Sequence, residues 1–144
     1  MNIRVFAATT LALAFGMVGL DSTDAAAAPT TRIATWNVEA RDAGGRAGGS
    51  LFSDGSATGS GELAHHSSTG GAITSRIRAV SWTALSPNTY GIHVELEGEI
   101  SGVRCIVLHS SDGGPELGVS LADDGICANA EPESDIAGKV TLLP

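Results

Sequence analysis

Four histidines, two cysteines and a scatter of carboxylates are the side chains of this 144-residue chain with chemistry to offer. His65-His66 is the most conspicuous pair. Consecutive strand residues point to opposite faces, so this pair could share a metal only from a loop. No H-x-H, H-x-x-H or H-E-x-x-H spacing occurs to put two imidazoles on one ion, and no metal ligands or cofactor are assigned. Asp112, Asp123, Asp124, Glu131, Glu133 and Asp135 carry oxygens suited to Ca²⁺. None follows the D-x-[DN]-x-[DN]-G pattern, and they read as a solvated acidic surface. The serines lack a G-x-S-x-G elbow: Gly59-Ser60-Gly61 is low-complexity sequence and Gly118-Val119-Ser120 is strand sequence. A glycosidase cleft needs paired carboxylates and aromatic platforms, and Trp36, Trp82, Tyr90 and the few phenylalanines are too sparse. No catalytic residue is assigned.

Cys105 and Cys127 depend on compartment. Arg4 supplies a positive n-region, Val5 to Leu20 is an uncharged apolar run, and Ala25 to Ala28 offers small residues for signal peptidase. The pattern predicts a signal peptide over 1–27, cut after Ala27, and one exported domain over 28–144. The same residues also describe an uncleaved anchor, but the apolar run is short and an A-x-A site follows it. No second apolar run and no lipidation signal follow, so the expected location is extracellular, without stable membrane association. An oxidising compartment turns the two cysteines into one disulfide. Closing a loop of this length stabilises a fold by ~3 kcal/mol in the chain-entropy view.

The whole chain has 8 basic and 16 acidic residues. Removing Arg4, Asp21 and Asp24 leaves seven against fourteen, a net charge of −7 for residues 28–144. Nucleic acid and anionic lipid are bound by clustered Lys and Arg, so nucleic acid is excluded as a partner. The actual partner is not legible in the sequence.

The elements that must position these groups read as strands. After Ala28 no stretch sustains helical periodicity, and short alternating runs are separated by Gly and Asp turns. Thr31 to Ala40 puts Ala34, Trp36, Val38 and Ala40 on one face. Weak strands follow over 46–54 and 61–67, although the composition of 51–71 also fits a flexible loop. Ala72 to Thr83 carries Ile73, Ile77, Val80 and Trp82. Thr89 to Ile100 alternates best, with Tyr90, Ile92, Val94, Leu96 and Ile100 opposite His93, Glu95, Glu97 and Glu99. A two-residue turn at Ser101-Gly102 then pairs Ile100 with Val103, Glu99 with Arg104 and Val94 with His109, and sets Gly98 opposite Cys105. That register sends His109 to the apolar side but leaves Ile106 and Leu108 beside the glutamates. Leu117 to Ala122, Ile126 to Ala130 and Ile136 to Leu143 complete the strands, with Glu131 to Asp135 as an acidic loop. The fold class is therefore all-β: an antiparallel sandwich or small barrel of about eight strands with one disulfide.

Ala40 to Gly45 (ARDAGG), Ile73 to Ile77 (ITSRI), the alternating strand over 90–100, Asp112 to Pro115 (DGGP) and the glycine-containing last strand occur in this order. In this the chain resembles small secreted β-domain proteins of high-GC Gram-positive bacteria, a group whose function is not established. The resemblance implies the fold and little else. That group has Gly directly after the proline, whereas this chain has Glu116, so no role carries over to the loop.

The expectation is a secreted, non-catalytic binding or structural module. One alternative is a carrier of a small apolar ligand in a barrel mouth, lined by Trp36, Trp82, Tyr90 and His109. The other is a secreted metal-dependent enzyme built on His65, His66 or His109.

Overall fold

The computed structural model describes residues 29–66, 72–112 and 114–144. The segment read as a signal peptide lies outside them. Eight strands run in chain order: β1 (Arg32–Ala40), β2 (Gly45–Phe52), β3 (Ala57–His66), β4 (Ala72–Ser86), β5 (Thr89–Gly98), β6 (Gly102–His109), β7 (Leu117–Ala122) and β8 (Glu131–Leu142). Each pairs antiparallel with the next, and β8 returns to β1 through Trp36↔Val140 and Val38↔Gly138. The result is a closed up-and-down barrel, the arrangement that removes sheet edges altogether.

Alternation decides what goes inside. Ala34, Trp36, Val38 and Ala40 of β1 are buried as their period of two predicts, and Ile92 and Val94 of β5 are fully buried. Outward positions such as Glu39, Glu62, Arg76 and Arg78 are exposed. A lipid-facing barrel wall carries the reverse pattern, apolar outside. Among the described residues no helix is long and apolar enough to cross a membrane.

Of the stretch 51–71, whose composition also fitted a flexible loop, the described residues form the end of β2, a turn and β3. A Cβ on Gly49 would collide with the Thr58 carbonyl, so the two backbones meet at a distance only glycine allows. The Trp36 indole extends from β1 past Gly49, its β2 partner, and donates to the Thr58 carbonyl of β3 at 3.0 Å. Here the glycines let the β2 and β3 backbones approach closely.

Two of the register irregularities bear on the interior. The β4–β5 register shifts between Ala79 and Ser81, leaving Val80 as the extra, 42% exposed residue. Ile77 and Ala79 before the bulge and Trp82 after it can then all face inward. The second lies in β8, where Gly118 pairs with Ala137 but Val119 pairs with Glu133. Glu131 to Asp135, expected as an acidic loop, is therefore the first part of β8. Ile126 to Ala130, expected as a strand, instead contains a 3-10 turn over Cys127–Asn129.

The β5–β6 hairpin also corrects the sequence reading. Leu96 pairs with Gly102, Ile92 with Ile106 and Tyr90 with Leu108, so the loop is longer than two residues. The slip from the expected register is five residues, an odd number, and it exchanges the faces of β6. Ile106 and Leu108 become 1% and 0% exposed, while His109 turns outward into solvent. Burying two large aliphatic side chains outweighs a surface ion pair worth at most about 1 kcal/mol. The expected Glu99–Arg104 pair accordingly gives way: Arg104 Nε bonds Asp123 at 3.1 Å, and Glu95 pairs with Arg78.

Candidate functional site

Antiparallel strands carry the turns alternately to the two ends of the barrel, and the ends are filled differently. At one end the indole of Trp82 lies 5.8 Å from the Tyr90 ring and donates to the Phe52 carbonyl at 2.8 Å. The β2–β3 turn closes over this end, with the Trp82 amide donating to the Gly55 carbonyl at 3.0 Å. Asp54 accepts from the Ser56 hydroxyl at 2.6 Å and the Ser56 amide at 2.9 Å. These bonds, the hydroxyl first, hold the Asp54 carboxyl below its ordinary range.

Among the described residues, the other end is open. A cavity of about 460 Å³ lies among Leu63, Ile77, Val94, Leu96, Ile106 and Ile136. Ile100, placed on the apolar face by its spacing, lies in the hairpin loop and also lines this mouth. Eight strands enclose just enough space for packed side chains or one small ligand. At this end the side chains stop short of filling it.

Two polar side chains enter the apolar wall. Arg104, two residues before Ile106, has a side chain only 19% exposed. Its Nη1 donates to the Val103 carbonyl at 3.1 Å, and its Nε meets Asp123, itself 92% exposed. Ser75, between Ile73 and Ile77 on the inward face of β4, is 2% exposed. Its Oγ has no hydrogen-bond partner among the described residues. A buried hydroxyl left so costs about 1–3 kcal/mol, so this atom marks a place where a partner is missing. At the lip, Glu133 and Asp135 of β8 line the same cavity as Asp123.

Of the four side chains proposed from sequence as a ligand pocket, Trp82 and Tyr90 are together, at the closed end. Trp36 is 2% exposed in the interior. His109 is on the outer surface, with Nδ1 at 3.2 Å from the Thr89 hydroxyl. None of the four lines the open mouth. Ser75 was within reach of sequence reasoning, since it alternates between Ile73 and Ile77. Arg104 was not, because its face depends on the hairpin register.

The disulfide joins Cys105 and Cys127, with Cα atoms 5.1 Å apart. It lies on the outer face, where it ties the 3-10 turn over β6. The His93 ring, on the residue paired with Cys105, has Nε2 at 3.7 Å from Cys127 Sγ, a neighbour not visible in the spacing. His93 and the two sulfurs are close enough to group as metal ligands. Both sulfurs are committed to each other, so neither is a thiolate. Room for the bridge comes from Gly91, not from Gly98: a Cβ on Gly91 would lie 2.5 Å from Cys127 Sγ. Asp124, just before the turn, accepts from the Asn129 amide at 2.7 Å and the Ile126 N–H at 2.9 Å. These bonds, Asn129 first, hold its carboxyl below the usual range. The backbones of His65 and His66 pair with Ile73 and Ala72, and their metal candidacy lies outside the described side chains.

The fold and site define an eight-stranded up-and-down barrel with one plugged end and one open, apolar mouth. No protein family, curated protein or solved structure matches this chain.

Proposed function

We propose that the protein is an exported binding module that holds a small, mainly apolar molecule in the open end of its barrel. The cavity of about 460 Å³ carries this reading, since ligand sites span roughly 300–1,000 Å³ and favour barrel mouths. Its wall is aliphatic with few polar groups, the composition of a site that takes up an apolar body and orients it by one or two hydrogen bonds. Export rests on the sequence of residues 1–27.

Titration of the purified protein with a neutral fluorophore that brightens in apolar surroundings tests the reading. The chain should bind it saturably. Leu121→Trp, which adds bulk at a half-buried lining position, should abolish binding while leaving the circular dichroism of the barrel unchanged. No saturable binding, or equal binding by the folded variant, would discard the mouth as a site.

A further inference from the structure

We infer that the occupant of the mouth is a cationic amphiphile: an apolar body inside the barrel with an amine at its polar end. This rests on the mouth being a ligand site and adds the chemical class of the ligand.

Charge comes first. Among the described residues the cavity is lined by one cation, Arg104, and three carboxylates, Asp123, Glu133 and Asp135, a formal balance of −2. The cation is already engaged, through Nε to Asp123 at 3.1 Å and Nη1 to the Val103 carbonyl at 3.1 Å. A carboxylate-headed ligand entering this lip meets net repulsion, strengthened where apolar walls lower the local dielectric. An ammonium meets attraction at the same place.

The unpartnered hydroxyl supplies a second observation, that the wall lacks a polar partner, and leaves the sign of the charge to the lip. Ser75 Oγ is buried in the cavity wall without a hydrogen bond among the described residues. Elsewhere in the interior, polar atoms have partners, as the indole N–H groups of Trp36 and Trp82 do. An ammonium offers three donors and no acceptor. The carboxylate oxygens at the lip supply acceptors for those donors, and the Ser75 hydroxyl, which can accept as well as donate, is compatible with them. These groups line one opening, although they lie far apart in sequence.

The experiment displaces the bound neutral fluorophore with n-decylamine, n-decanol and n-decanoate at neutral pH and low salt, each kept below its micelle concentration. Decylamine should compete at a concentration about tenfold lower than decanoate, the factor that ~1.4 kcal/mol represents, with decanol between them. Added salt should narrow the gap, since the lip is exposed. Glu133→Gln with Asp135→Asn should remove most of the amine preference and leave decanol affinity unchanged. Ser75→Ala should weaken decylamine several-fold without lowering thermal stability. Decanoate binding as tightly as decylamine, or a preference unchanged in the double variant, would overturn the cationic assignment and leave the mouth standing as a site. A fluorophore bound in the mouth that none of the three probes displaces would also overturn it. Failure of the fluorophore itself to bind would instead strike the proposed function.

Discussion

Replacing Gly91 by alanine puts a methyl group against the disulfide. The new Cβ would lie 2.5 Å from Cys127 Sγ, 3.2 Å from Cys105 Sγ and 3.3 Å from Cys127 Cβ. Carbon and sulfur in contact do not approach so closely, and Cys105 is fully buried, so the sulfur of Cys127 or the 3-10 turn carrying it must move. Overpacking of this kind costs typically ~1–3 kcal/mol. The upper bound is set by what the bridge can contribute: a separation of 22 residues corresponds to about 3 kcal/mol of loop-closure entropy. Urea unfolding of four proteins, the parent, Gly91→Ala, Cys105→Ala/Cys127→Ala and the triple variant, separates the terms. Gly91→Ala should destabilise the disulfide-bonded protein by about 1–3 kcal/mol and the cysteine-free protein by much less, because the sulfurs it meets are gone. An equal loss in both backgrounds would mean that Gly91 serves the strand and not the bridge, and the packing reasoning would be wrong.

Ile106→Ala should lower stability by about 2–5 kcal/mol in the same assay, whereas Glu97→Ala, on an exposed position, should stay within ~0.5 kcal/mol. Equal effects would restore the two-residue hairpin register. Trp82→Phe keeps an aromatic ring but removes one of two donors to the Phe52 carbonyl, which retains the Gly55 N–H at 3.1 Å, and should cost about 0.5–1.5 kcal/mol. An unchanged unfolding midpoint would show that the closed end does not need the bond. Asp54 and Asp124 are held below the ordinary carboxylate value of 3.8, so their contribution is complete above that value. It is lost as pH falls through it toward the lower folded value. Asp54→Asn and Asp124→Asn should each flatten the acid-side decline of Tm with pH, and slopes identical to the parent would refute this.

Several features were legible because they are local. Alternation from Ala34 to Ala40 and from Tyr90 to Leu96 identified inward rows directly, since a strand sends successive side chains to opposite faces whatever it pairs with. The disulfide followed from cysteine number and inferred compartment. The β2–β3 region was less legible, because glycine contributes no apolar signal and its role, to let two backbones approach closely, depends on the paired strand. Ile126 to Ala130 looked like a strand on composition, but Asp124 and the bridge to Cys105 fold it into a turn. For the candidate site, the aromatic residues suggested a pocket, and Trp82 and Tyr90 lie together at the plugged end; the mouth has an aliphatic wall with Ser75 and Arg104 in it and Asp123, Glu133 and Asp135 at its lip.

By itself the sequence determined the all-β class, the inward faces of β1 and β5, the acidic surface and the cysteine pair. Those properties follow from the two-residue period of a strand and from counting charges. Register, closure and the position of the cavity were decided only in three dimensions. Pairing β8 with β1 joins segments at opposite ends of the domain, and a β6 slip of five residues exchanges Ile106 for His109 inside the barrel. Neither is favoured by neighbouring residues alone. Together they bury Ile106, Leu108 and Val140 inside the barrel, and the open mouth is the end at which the described side chains stop short of filling it.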